Sequence, residues 1–198
     1  MTVHPIEAKS YRILERRVDL SHLPSLVRAV VARTIHASAD LEFSESVVAN
    51  EEELNAAVDA LANGAPVVVD VEMVAAGITG IPTQCFLGEA GIDARPTRSA
   101  AAMHLAADAH PRGAFFVVGC APTALDAVID LAAQGAVDPA LVVGMPVGFV
   151  GAAESKARLR ASGLPAVSNI GEKGGSAVAA AVVNALARVA AARRSGNG

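Results

Sequence analysis

The segment Leu141 to Lys156, LVVGMPVGFVGAAESK, constrains this chain more than any other. Leu141-Val142-Val143 is a β-branched run of the kind that forms a buried strand. It opens into a loop punctuated by Gly144, Pro146, Gly148 and Gly151, and a helix begins near Ala152. In an open α/β sheet, ligands lie just beyond the carboxyl ends of the strands, where backbone has to approach them closely. Strand, glycine-rich loop and helix start, in that order, make one wall of a pocket.

The remaining chain supplies the sheet that such a segment needs. Pro5 opens a helix through about Arg17, with Ile6, Ile13 and Leu14 on its apolar side. A second helix runs from Pro24 to about Ile35-His36-Ala37, and a third from Glu51 to Asn63, with acids in its first turn and Gly64 as its stop. Helices before any strand suggest an added N-terminal helical layer. From Pro66 the pattern changes. Val67-Val68-Val69 reads as a strand buried on both faces, Thr83 to Leu87 as a weaker one, and Phe115 to Val118 and Ala166-Val167-Ser168 as two more. Helices from Thr97 to Ala109, from Pro122 to Gln134, from Ala152, and after Gly174-Gly175 alternate with them. The expected fold is α/β: three layers, a mainly parallel sheet flanked by helices, and an N-terminal helical segment, all in one domain over 1–198 with a frayed tail from about Arg193 to Gly198.

Composition narrows the function. Hydrophobic residues make up 53% of the chain but aromatics only 3%, so Ala, Val and Leu must build the core. A formal charge of −4 and few stacking rings argue against a nucleic-acid partner. Cys85 and Cys120 have neither the number nor the spacing of a disulfide framework or zinc site, which points to a reducing, cytoplasmic compartment. The most apolar segment, Ser176 to Ala192, is broken by Asn184 and Arg188 and reads as a buried helix, with no membrane expected.

Among the histidines, His36 falls near a helix C-terminus, where the dipole favours imidazolium and a proton donor could work near neutral pH. His4, His22, His104 and His110 fall at turns or on exposed helix faces. Two further junctions, Gly119 to Thr123 and Gly171 to Ser176 with Gly174 and Gly175, place backbone N–H groups at helix starts, where carboxylates and phosphates bind. Either one alone is equally well explained as a turn; three on one sheet edge favour an anionic ligand. Arg98, Lys156 and Lys173, with Thr123 and Ser176 at the ends of the junctions, are the candidate substrate-binding residues. Asp70 and Glu72 are accounted for by a solvated loop. The dinucleotide spacing, the phosphate loop and the nucleophile elbow are absent, as are paired histidines for a metal. What remains is binding, orientation and one proton.

Taken together, these residues resemble the precorrin-8X methylmutase family from about Ile6 to Leu186. Gly144-Met145-Pro146-Val147-Gly148-Phe149-Val150-Gly151-Ala152-Ala153-Glu154-Ser155-Lys156 matches that family's G-[ML]-P-V-G-F-V-G-A-A-E-S-K segment throughout. Arg33-Thr34-Ile35-His36-Ala37, Met73-Val74 through Ile78, Thr97-Arg98-Ser99-Ala100-Ala101, Ala121-Pro122-Thr123-Ala124-Leu125, Gly174-Gly175-Ser176 and Asn184-Ala185-Leu186 match its other motifs in order. The resemblance implies an isomerase of corrin-ring (vitamin B12) biosynthesis that moves a methyl group from carbon 11 to carbon 12 of precorrin-8X, a tetrapyrrole rich in carboxylates, without a cofactor or metal of its own. It implies that His36 is the proton donor/acceptor, that Ser10 and Arg98 meet the substrate, and that the enzyme is a homodimer.

The chain departs from the pattern at Cys120, where the family usually has Asn, in a short Thr79 to Arg95 segment, at Ser168 to Glu172, and at Ser38-Ala39-Asp40 in place of a usual Cys-Gly. The rival readings are a corrin-binding carrier without turnover and, against the missing phosphate fingerprints, a Rossmann-like nucleotide-dependent oxidoreductase.

Overall fold

The structure, a computed structural model, describes residues 4–196. Its centre is a six-stranded sheet in the order β1-β6-β5-β4-β2-β3. The strands are β1 (Val47–Ala49), β2 (Val67–Val69), β3 (Gln84–Cys85), β4 (Phe115–Val118), β5 (Leu141–Gly144) and β6 (Ala166–Asn169). All neighbours pair in parallel except β1, which lies antiparallel along β6 with Val48 opposite Ser168. Val67 to Val69, Phe115 to Val118 and Leu141 to Val143 are buried, as strands covered on both faces must be. Each such side chain contributes roughly 1.5–3 kcal/mol by leaving water.

Strand alternation divides the core in two. Val67, Val69, Phe115, Val117, Leu141, Val143 and Val167 face α4 (Glu51–Ala62), α5 (Glu72–Gly77) and α9 (Ser176–Gly196). Val68, Phe116, Val118 and Val142 face α6 (Arg98–Ala109), α7 (Pro122–Ala133) and α8 (Ala152–Ala161). The N-terminal helices α1 (Pro5–Glu15) and α2 (Ser25–Ser38) add to the first side, with α2 packed on α9 and α4. The three-layer, mainly parallel α/β arrangement is the one expected from sequence. By length and composition α9 could cross a membrane, yet most of it is buried inside the fold.

Four expectations about the secondary-structure elements need correction. A short helix α3 (Phe43–Ser46) and strand β1 come before α4, so the sheet takes an edge strand from the stretch read as purely helical. On α1 only Leu14 is buried; Ile6 is 73% and Ile13 45% exposed. The expected strand at Thr83 to Leu87 shrinks to Gln84–Cys85. The tail expected to fray from Arg193 is helical through Gly196, with Arg193 bonded to Asp59 and Asn55, while residues 197–198 lie outside those described.

Asp70, read as part of a solvated loop, is fully buried at the end of β2. Its Oδ1 accepts the Gly119 N–H at 3.0 Å, and its Oδ2 accepts those of Cys120 and Ala121 at 2.8 and 3.0 Å. Burial pushes the carboxyl up from its usual range while these three bonds pull it back. The chain leaves β2 toward β3 on one side, whereas β4, β5 and β6 progress to the other, so the sheet reverses direction between β2 and β4. Ligands of doubly wound sheets commonly enter at such a crevice. Here Asp70 fills it.

The end of α2 carries the one strained non-glycine residue among those described. Ala39 caps the helix at φ +57°, donating its N–H to Ile35 O at 2.8 Å. It stands in the stretch where the family resemblance expects Cys-Gly. A left-handed alanine costs about 1–2 kcal/mol, part of which a glycine returns through its freer unfolded chain. Ala39→Gly should therefore stabilise the fold by about 0.5–1 kcal/mol, read as a rise in Tm; a fall would show that the cap is not strained.

Candidate active site

Helices α1 and α2 meet through two pairs of side chains separated by the same distance in sequence. Arg33 Nη1 donates to Glu7 Oε1 at 2.7 Å, and Ser10 Oγ lies 2.8 Å from His36 Nδ1. Glu7 and Ser10 are three apart on α1, as are Arg33 and His36 on α2, so each helix presents one face to the other. Arg188 from α9 bonds the same Glu7 oxygen at 2.8 Å. Tyr11 stacks on His36, with ring centroids 5.0 Å apart and planes 11° from parallel. The bond to Ser10 fixes Nδ1. Nε2 has no hydrogen-bond partner among the described residues and is the nitrogen left for a ligand.

The pKa of His36 is shifted in the direction opposite to the one its place at a helix end suggested. Its pKa lies below the ordinary 6.5, first because the ring is partly buried and next because of the Arg33 guanidinium, with Arg188 adding to the effect and Glu7 opposing it. Burial and the two cations therefore favour the neutral imidazole, against the direction a helix C-terminus alone would give.

The glycine-rich loops after β5 and β6 are fastened to each other. Gly148 N–H donates to Glu172 O at 3.1 Å and Gly175 N–H to Met145 O at 2.8 Å. A Cβ on Gly174 would stand 2.4 Å from Met145 O, so only glycine permits this approach. The tips are apolar and exposed: Phe149 at 95%, Val150 at 89% and Ile170 at 58%. Lys173 Nζ ties this mouth to the chain leaving α2, bonding Asp40 Oδ2 at 2.6 Å and Glu42 Oε2 at 2.7 Å. Gly151, at the start of α8, lies against Pro122.

Several expected ligand contacts are engaged elsewhere. Lys156 is fully buried, its Nζ donating to Asn169 Oδ1 and Lys173 O at 3.1 and 2.6 Å, so it does not reach out to a carboxylate. Lys173 is neutralised by its two acids. The N–H groups of the Gly119 junction belong to Asp70, and Gly119 itself packs against Val74 and the backbone of Ser176, which is buried. Gly144 is the last residue of β5, pressed against Leu159 and Leu125, and lines no mouth. Arg98 and Thr123 form a separate group: Arg98 Nη2 donates to Leu87 O at 2.8 Å, and Thr123 Oγ1 lies 2.8 Å from Thr97 Oγ1. No hydrogen bond among the described residues joins them to His36.

Sequence reasoning missed Glu7, Tyr11, Arg33, Arg188, Asp70 and Asn169. The matching i, i+3 spacing of Glu7/Ser10 and Arg33/His36 was the available clue. A cavity of about 530 Å³ opens between α1 and α2, with Tyr11, Leu14, Leu20, Arg28 and Ala32 in its wall. Tyr11 thus borders both that cavity and the imidazole. Among the described residues no three His, Cys, Asp or Glu side chains group as metal ligands.

Comparison with known proteins gives a consistent result. The family model for precorrin-8X methylmutase matches residues 5–189. A precorrin-8X methylmutase from Pseudomonas aeruginosa is 40% identical over 92% of this chain and 93% of its own. A cobalt-precorrin-8 methylmutase from Methanothermobacter thermautotrophicus is 39% identical over 92% and 91%. The crystal structure of the precorrin-8X methylmutase from Thermus thermophilus superposes with a TM-score of 0.86 at 36% identity, covering 96% of this chain and 99% of that one. The motif matches, the fold and these likenesses agree: the chain belongs to the precorrin-8X methylmutase family.

Proposed function

We propose that this chain isomerises precorrin-8X, moving the methyl group on carbon 11 to carbon 12 and giving hydrogenobyrinic acid, or carries out the same step on the cobalt-containing substrate. The observation that carries this reading is the held imidazole of His36, with Nδ1 bonded to Ser10, its face stacked on Tyr11, and Nε2 without a hydrogen-bond partner among the described residues. Family membership over residues 5–189 supplies the reaction. A methyl shift within a conjugated ring can be concerted, so it needs no nucleophile. It needs the macrocycle held in the reactive shape and electron density drawn toward the carbon that receives the methyl group.

In this reading the Ser10 hydroxyl donates to Nδ1, which places the imidazole proton on Nε2. That N–H meets a nitrogen of the ring and polarises it. Partial burial first, then Arg33 and Arg188, favour the neutral imidazole between turnovers, and the two arginines share Glu7 as their counter-charge. Arg98 and Thr123, now bonded to Leu87 O and Thr97, would turn to peripheral carboxylates of the substrate in this reading.

The exposed apolar side chains Ile6, Met73, Phe149 and Val150 are ones that a second copy would cover in part, and we infer a homodimer, in the cytoplasm with the substrate. Sedimentation at micromolar concentration should give twice the chain mass; a monomer that turns over normally would remove the dimer from the proposal.

A positioned donor of this kind contributes roughly 10²–10⁴-fold. His36→Ala should slow conversion of excess precorrin-8X by about that factor while leaving the protein folded. Wild-type rates in the variant would exclude His36, and a spectral change that stops at one equivalent of protein would leave only binding. The pH profile follows from the sign of the shift. Because the folded pKa lies below 6.5, the folded chain binds this proton less tightly than the unfolded chain does. The stability it contributes is full above 6.5 and is lost as pH falls through the lowered value. With neutral imidazole as the working form, kcat/KM should fall on the same acid limb, below pH 6.5, and His36→Ala should abolish that limb. Activity that instead declines upward through pH 6.5 would assign the work to imidazolium.

A further inference from the structure

Lys156 is a buried cation for which the reaction, as described, has no use. Its side chain is among the largest that are fully enclosed, and it makes no ion pair among the described residues. Two of the ammonium's three protons go to neutral oxygens, Asn169 Oδ1 and Lys173 O. Burial, with Arg160 nearby, pushes its pKa down to about 8 against the pull of Glu172, so it still carries its charge at neutral pH. A methionine of similar length would fill the same space without the desolvation penalty, so stability alone does not call for a lysine here.

What the ammonium holds explains its presence. The Lys173 carbonyl is gripped from two directions, by Lys156 Nζ at 2.6 Å and by Asn169 Nδ2 at 2.8 Å. Asn169 is itself fully buried. On the same residue, the Lys173 side chain is held by Asp40 and Glu42, which lie just beyond the helix that carries His36. On either side of it, Glu172 O accepts from Gly148 and Gly175 N–H donates to Met145 O. Lys173 is therefore a pivot with its backbone fixed to the buried cation and its side chain fixed to the His36 segment.

We propose that Lys156 is a positioning residue for the isomerisation: with Asn169 it clamps the Lys173 carbonyl, setting the 171–175 loop against the 145–150 loop and, through the Lys173 side chain, against the chain leaving His36. It acts through the loop and does not touch substrate. The inference rests on His36 as the reacting group, and its test separates the two.

Wild type, His36→Ala and Lys156→Met are compared for kcat and KM on precorrin-8X and for amide hydrogen exchange residue by residue. Lys156→Met is expected to lower kcat at least tenfold. The amides of Gly148 and Gly175 should exchange at least tenfold faster, while those of Val117 and Val143 keep their protection. If Lys156→Met turns over like wild type while His36→Ala is inactive, the inference is wrong and the reading of His36 stands. If His36→Ala is as active as wild type, it is that reading that fails, and the exchange of Gly148 and Gly175 still decides whether Lys156 clamps the loops. A raised KM at unchanged kcat would make Lys156 a direct substrate contact and overturn the inference, as would loss of protection that spreads to the strands. Should Lys156→Met not fold, Asn169→Ala keeps the lysine, removes the second grip, and is read by the same measurements.

Discussion

Where a ligand can sit on this fold is decided first by the Asp70 carboxylate. A doubly wound sheet offers a crevice where its strand order reverses, and helix starts there present free N–H groups to anions. Here the chain fills that crevice with its own carboxylate and spends the N–H groups of Gly119, Cys120 and Ala121 on it. The loops after β5 and β6 leave the same edge of the parallel sheet. There the loops are apolar at their tips and fastened to each other through Gly148, Gly175 and the Lys173 carbonyl. A broad, flat macrocycle suits such an edge better than a narrow phosphate-bearing cofactor does.

Between α1 and α2 the fold holds one imidazole by its neighbours. Position is set by Ser10 and Tyr11, and charge by burial together with Arg33 and Arg188 against Glu7. These influences come from α1, α2 and α9, so the neutral state of His36 is a property of three helices packed together. The ion pairs at Lys173 then join the chain that leaves the His36 helix to the loop after β6, so in the proposed mechanism one network would hold both the imidazole and the loops. Catalysis by alignment needs such a hold, because misplacement by an ångström can cost about a hundredfold.

Much of this was legible in the sequence, for identifiable reasons. The β5–α8 segment could be read directly because a β-branched run, spaced glycines and a polar helix start follow one another locally. The buried strands Val67–Val69 and Phe115–Val118 were as plain. Short elements were not: α3, β1 and α5 have too few residues to show a period, and β1 exists only because β6 lies alongside it. The apolar face assigned to α1 turned out largely exposed, since periodicity reports a stripe without saying what covers it. The cations misled for a different reason. Lys156 and Lys173 look like free charges until Asn169, Asp40 and Glu42 arrive from distant parts of the chain. His36 was found, but the sign of its shift depended on Arg33, Arg188 and burial, which a helix-dipole argument omits.

The central claim is that Nε2 of His36 faces the reacting macrocycle. A crystal structure of the protein with hydrogenobyrinic acid bound tests it most directly. The ring should lie over the β5 and β6 loops, with one of its nitrogens within roughly 2.6–3.2 Å of Nε2, the reach of a hydrogen bond that can pass a proton. A product molecule seated instead in the cavity between α1 and α2, or with His36 separated from every ring nitrogen by protein, would contradict the account.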